Sequence, residues 1–177
     1  MKKIVPWCAG WVLGLSLWAL LPVLSGQEMH EMASAKLSDH LEITGIDGTK
    51  IEVTPAELKT LPHKTVTVFN AHIKKEETYS GIVLAELLAR VHAPVGEALK
   101  GKLFMTGVVA EGTDGYRVLY SIAEVDPAMH TGDVIVADTV NGEPIAKNGA
   151  FQLINTEDKR PARWVRNLEA IEVVGVK

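Results

Sequence analysis

The chain has almost no cysteine. Among its 177 residues the one thiol is Cys8, which lies inside an uncharged run from Ile4 to Gly26. Everything beyond that run has no thiolate to serve as nucleophile, metal ligand or disulfide partner. An excess of positive charge is lacking too: 18 Lys and Arg stand against 22 Asp and Glu, a formal net charge of -4. A nucleic acid or an anionic membrane as partner would require the opposite sign over a broad surface. Any bound anion must therefore be small and held locally. There is no phosphate-cradling glycine loop and no Ser-His-Asp set, and Asp133, Asp138 and Glu143 are too scattered for an acid/base pair. Hydrolase and nucleotide-binding readings drop out.

Turning to what is present, Lys2 and Lys3 lead into the apolar run "IVPWCAGWVLGLSLWALLPVLSG", which closes on small residues. A basic start, an apolar middle and a cut after Ser25 are the features of a secretory signal peptide over residues 1–25. The alternative is an uncleaved membrane anchor, since the run has about the length that spans a bilayer. Pro6, Gly10 and Gly14 weaken a spanning helix and favour cleavage. The expected product is periplasmic or secreted, with no stable membrane embedding. Without Lys2 and Lys3 its formal charge moves from -4 to -6. Residues 26–38 carry no strand or helix-core pattern and read as a mobile leader. Met29, His30 and Met32 offer soft ligands for copper there, against the plainer reading of a polar tail. Residues 39–177 are enough for one well-buried domain and too few for two.

Within that body, "HLEITGIDGTKIEV" alternates apolar and polar about Asp47-Gly48, the signal of a two-residue hairpin. In "TPAEL", Thr54 is placed to cap, Pro55 suits the first helical position and Glu57 completes a reciprocal box. "KTVTVFNA" predicts a strand, and "GIVLAELLARV" puts Val83, Leu84, Leu87, Leu88 and Val91 at helical spacing. Five further strands are expected in "GKLFMTGVVA", "YRVLYS", "DVIVADTV", "FQLIN" and "RWVRNLEAIEVVGV", with a second hairpin signal at Asn141-Gly142. Strands and helices do not alternate regularly. The fold class predicted is α+β, a mixed β-sheet or flattened barrel with a few short helices at its side.

From about Leu37 to Val176 an ordered set of stretches resembles the molybdopterin-binding domain of the sulfite oxidase superfamily. They are "TPAELKTLP", "TVTV", "YSGIVLAELL", "DGYRVLYSIAEV", "VIVADTVNGEPIAKNGAFQLIN" and "RWVRNLEAIEV", with the aromatic-x-Gly of Tyr79 to Gly81 as the best landmark. The resemblance implies a sulfite-oxidase-like fold and a molybdenum-pterin cofactor whose metal is bound by one protein cysteine. That cysteine ordinarily lies about a dozen residues before the landmark glycine, and counting back from Gly81 reaches Phe69. Where the family often carries charged cofactor or substrate partners, this chain has the amides Asn148 and Gln152. Amides hydrogen-bond a phosphate without charge assistance. These departures imply a non-catalytic or repurposed member, and Phe69 is expected to fill the core. An atypical molybdenum-dependent oxidoreductase is the alternative, with the cofactor held through its pterin and phosphate and with His63, His72 and Asn70 near the metal.

Three arginines near the C-terminus, Arg160, Arg163 and Arg166, flank Trp164. If residues 163–168 are extended, Arg163 and Arg166 fall on opposite faces. One reading leaves Arg160 and Arg163 in solvent and stacks Arg166 along Trp164 or pairs it with Glu169. The other lines a pocket for a small anion with planar guanidinium groups. Tyr116, beside Asp114 in "GTDGYR", is suited to stack on a flat pterin-like ring, or simply caps the core. Candidate ligand-binding residues are thus Asn70, Tyr116, Asn148, Gln152, Arg160, Arg163 and Arg166, with no catalytic or metal set and a small anion as partner. Export is directly testable: intact-mass measurement should find a mature chain beginning at Gly26 or Gln27, and a full-length precursor held in the membrane would contradict it.

Overall fold

The computed structural model describes residues 36–145, 147 and 149–175. The expected signal peptide, the candidate copper ligands Met29, His30 and Met32, and Asn148 lie outside the described residues.

The chain runs through β1 (Leu41–Thr44), β2 (Lys50–Val53), α1 (Pro55–Leu58), β3 (Lys64–Asn70), β4 (Lys75–Val83) and α2 (Leu84–Ala89). It continues with β5 (Thr106–Gly112), β6 (Arg117–Ser121), α3 (Ile122–Val125), β7 (Val134–Val140), β8 (Glu143–Pro144), β9 (Gln152–Asn155) and β10 (Leu168–Gly175). One sheet has the order β2-β1-β10-β5-β6, in which β1 and β10 are parallel and every other pair antiparallel. The second has the order β3-β4-β7-β8, with β9 also paired to β7, and is antiparallel throughout. The fold is α+β, with one mixed sheet and no closed barrel.

Local sequence explains many of the joints. Thr54 Oγ1 accepts from the Glu57 amide at 3.3 Å while Glu57 Oε2 accepts from the Thr54 amide at 2.8 Å, closing the expected box at α1. Ser121 and Glu124 repeat the device at α3. Asn141 and Gly142 adopt φ of 53° and 83°, the left-handed pair a two-residue hairpin needs, and join β7 to β8. The first hairpin differs from expectation. Thr44 pairs with Lys50, so its loop has five residues, closed by Gly45 N–H donating to Thr49 O at 2.7 Å.

One large core takes residues from both sheets and from α2: Leu41 and Ile43, Val108 and Ala110, Ile82, Val136, Leu153, Leu87 and Leu88. A smaller one joins Val66, Val68, Tyr79, Ile135, Ala137, Ile154 and Trp164. Val134 and Val136 face the first core and Ile135 and Ala137 the second, so β7 is buried on both faces. That is why "VIVA" is a continuous apolar run rather than an alternating one. Gly81 of β4 lies against this strand so closely that a Cβ would sit 2.1 Å from the Val136 carbonyl oxygen. Nothing but glycine allows that approach.

Three expectations are corrected. Phe69 is 57% exposed and not in the core. β3 is an edge strand whose inward positions are Val66, Val68 and Asn70, and Phe69 falls on the outer side with Thr65 and Thr67. Gly81 to Val83 close β4 instead of opening a helix, and α2 starts at Leu84. The last strand does not begin at Arg163. Pro161–Arg163 form a 3-10 turn, Asn167 has a φ of 52°, and Trp164 and Val165 are both buried, so strict alternation fails until Leu168. Denaturant unfolding should find Phe69→Ala within about 0.5 kcal/mol of wild type. Gly81→Ala should cost about 1 to 3 kcal/mol as an overpacked strand contact.

Candidate functional site: a cleft beside Trp164

A cleft of about 220 Å³ opens where the β5–β6 turn faces the segment entering β10. Asp114 and Tyr116 come from the turn, Gln152 from the start of β9, and Trp164 and Arg166 from the approach to β10. Each is positioned by local bonding. Asp114 Oδ1 accepts from the Tyr116 amide at 3.0 Å and shapes the turn. The Tyr116 hydroxyl donates to the Ala162 carbonyl, which ties the turn to the opposite wall. Trp164 is 5% exposed, donates Nε1–H to the Asn155 carbonyl at 2.9 Å, and packs edge-on to Tyr79 with centroids 5.8 Å apart. Gln152 is 3% exposed. Arg166 is exposed, and among the described residues its guanidinium has no ion pair.

Asn167, next to Arg166, fastens the two walls. Its Oδ1 accepts from the Ser38 amide at 2.6 Å, and its Nδ2 donates to the Lys36 carbonyl at 2.9 Å and to Thr113 Oγ1. Its carbonyl accepts from the Thr113 amide at 3.1 Å. Gly112 takes part by its lack of a side chain, since a Cβ there would come within 2.8 Å of the Arg166 carbonyl oxygen. Nothing in the sequence pattern marks Asn167 beyond its being a residue type that tolerates positive φ.

Behind the cleft, Glu77 Oε2 accepts from Asn70 Nδ2 and from the Tyr79 hydroxyl, each at 2.7 Å. Burial and then the Glu77 carboxylate push the Tyr79 hydroxyl far above its ordinary value, and the charge of Arg166 partly offsets them. Tyr79 therefore stays a neutral donor and serves structure.

Of the residues the sequence singled out, Tyr116, Gln152 and Arg166 share this cleft. Asn70 does not line it. Its Nδ2 is given to Glu77, and its Oδ1 accepts from the His72 amide at 3.0 Å. Arg160 is exposed in the turn before Pro161 and is not part of the lining. Arg163 is neither a ligand donor here nor a solvent-facing side chain. Its Nη2 and Nε donate to Asp158 Oδ1 at 2.5 and 3.2 Å, its Nη1 to Glu124 Oε1 at 3.0 Å, and it stacks 4.7 Å from the Tyr120 ring centroid. Asp158, followed by Glu124, raises its pKa beyond an already high value. Its Nε, Nη1 and Nη2 are each engaged with a carboxylate, so it is a structural cation.

No protein-family model and no curated protein sequence matches the chain. Among solved structures it is similar to the crystal structure of the sulfane dehydrogenase SoxCD from Paracoccus pantotrophus, with a TM-score of 0.59 and 19% sequence identity. The match covers 78% of this chain and spans 39% of that one. This likeness supports a fold related to that of the sulfite-oxidase-like molybdopterin proteins, the class to which that neighbour belongs.

The residues do not fit the metal half of such a cofactor. The described chain has no cysteine, and Phe69, at the position counted for the ligand, points outward. Asn70, the inward neighbour, already holds Glu77. His63 directs its ring to Asp138 rather than to Asn70 or His72. Among the described residues no group of three His, Cys, Asp or Glu is placed to hold a metal ion.

The Arg163 cluster yields a test by pH. Burial raises the Glu124 carboxyl, but hydrogen bonding from the Ser121 backbone and from Arg163 outweighs this and leaves it below its ordinary 4.5. A carboxyl with a depressed folded pKa contributes stability above its unfolded value and loses it as pH falls through the folded one. Arg163→Met should cost about 2 to 3 kcal/mol at neutral pH. It should also flatten the loss of stability on acidification below pH 4.5, as read by thermal melts across pH.

Proposed function

We propose that this protein is an exported, non-catalytic ligand-binding module of molybdopterin-binding-like fold, and that the cleft beside Trp164 takes a small anionic or pterin-like ligand. The observation that carries this reading is the combination of an Arg166 guanidinium with no ion pair among the described residues, the buried Gln152 amide and the exposed Tyr116 ring in one cleft. A guanidinium and an amide donate to an oxyanion or to the oxo edge of a heterocycle. Tyr116, which is 47% exposed, supplies apolar and π surface on which a ring would gain by stacking, with Trp164 buried beneath. Asp114 adds an acceptor, which favours a ligand that also carries N–H donors over a bare inorganic anion. A pterin ring has both kinds of edge. The cleft's volume suits a single bicyclic ring and not a dinucleotide.

The test uses pterin itself, whose fluorescence reports binding, with sulfite and inorganic phosphate as small-anion probes. Arg166→Ala and Gln152→Ala should each weaken pterin binding, Arg166 by about tenfold or more, as expected for a charge-assisted hydrogen bond. Arg160→Ala should leave it unchanged. Protein prepared in a host that makes the molybdenum cofactor should carry no stoichiometric molybdenum by elemental analysis. One molybdenum per chain retained through gel filtration would replace this reading with that of an atypical molybdenum oxidoreductase.

A further inference from the structure

An edge strand presents a row of unpaired N–H and C=O groups to whatever can add a further strand. Among the described residues, most edges of the two sheets are blunted. β2 has four residues and carries Lys50 and Glu52, and β8 has two and ends on Pro144. β9 is covered on its outer side, where the Leu153 amide donates to the Val165 carbonyl at 2.8 Å. β6 has five residues, opens on Arg117, which pairs with Glu111 at 3.0 Å, and runs straight into α3. β3 has none of these devices. It is a strand of seven residues at the end of its sheet, without proline or glycine, and its pairing with β4 holds one register from Lys64 to Asn70 with no bulge. From Thr65 to Asn70 it is uncharged, and Lys64 at its start is held by Asp133 at 2.6 Å. Phe69 stands exposed on its outer face, and Ile73 in the turn that follows is exposed as well.

Geometry narrows the occupant of this edge. A strand that pairs antiparallel with its own copy about a two-fold axis lies opposite itself at one residue, and side chains of one face meet side chains of the same face. Thr67 is the middle residue of Lys64–Asn70, so the register centred there pairs all seven residues. It sets Thr65 opposite Phe69 of the second copy, Val66 opposite Val68 and Lys64 opposite Asn70, and no like charges meet. The Thr67 hydroxyl already lies 3.0 Å from that of Thr78 across the ladder, and pairing about Thr67 extends this contact into a continuous row of threonines. Val66 and Val68, each 8% exposed, would carry the smaller core across the axis. We propose that β3 is a self-association surface, at which a second copy of this chain adds antiparallel about Thr67 and joins the two copies' sheets into one. The strand contributes nothing to the lining of the Trp164 cleft, so the proposal is independent of what the cleft binds. One edge strand is a small contact, and the dimer is accordingly weak and concentration-dependent.

Sedimentation equilibrium of the purified protein over a range of concentrations should show a reversible monomer–dimer equilibrium. Hydrogen exchange of those amides of residues 65–69 that point away from β4 should slow as the dimer fills. Thr67→Lys and Thr67→Glu each set like charges face to face at the axis and should weaken the dimer by about tenfold or more. Thermal melts of the dilute variants should stay close to wild type, because Thr67 is exposed. An equimolar mixture of the two variants brings opposite charges together and should restore the dimer. If either variant folds poorly, the concentration dependence of exchange in the wild-type chain decides the matter. A wild-type chain that stays monomeric throughout would leave the edge to a strand of another protein and overturn the proposal. So would a dimer that leaves exchange in β3 unchanged, folded single variants that dimerise as wild type does, or a mixture that fails to restore the dimer.

Discussion

The contact on which most of the structure depends is the one between Gly81 and the backbone of β7. Because no Cβ stands between them, β4 can press onto a strand that is buried on both faces, and β7 can serve two cores at once. The same place carries the register shift that ejects Asp138 from the regular ladder. Packing and polarity are thus coupled at one point. The close approach allows a dense, apolar β7, and the bulge beside it provides the one position along that strand where a carboxylate can be accommodated. A larger side chain at position 81 would disturb both the strand pairing and the geometry of Asp138.

Where a signal was local, the sequence was legible. A capping box needs only Thr54 and Glu57 three residues apart, and a two-residue hairpin needs only Asn141 and Gly142 with positive φ. The β-branched runs of β3 and β7 likewise declared themselves. The strand β4 did not, because its first half, Lys75 to Thr78, is polar on both faces and draws its order from pairing with β3 rather than from an apolar stripe, β7 joining only from Tyr79. Phe69 misled for a related reason. Its parity along β3 was right, but no sequence pattern says which side of an edge strand has a partner.

The arginines show the same boundary between local and tertiary information. An extended strand through Trp164 would set Arg163 and Arg166 on opposite faces, and the backbone instead turns through Pro161–Arg163 and again at Asn167. Arg163 is drawn inward to Asp158 and Glu124, and Glu124 lies 39 residues away in sequence. Its charge is matched and its planar face covered by Tyr120. Arg166, three residues later, lines a cleft with no ion pair among the described residues. Two residues of one type thus take opposite roles, and the difference lies in where carboxylates were already in place.

That division also bears on how far the fold can be separated from the chemistry of its structural relatives. The fold of this chain is carried by strand order, by Gly81 and by the two cores, none of which requires a metal. Metal chemistry would demand a soft donor facing inward from β3, and the inward positions are Val66, Val68 and Asn70. The last of these is bound to Glu77, which in turn accepts from Tyr79, whose ring packs against Trp164. These contacts support Tyr79 and through it the buried Trp164, so freeing Asn70 for a ligand would loosen that support.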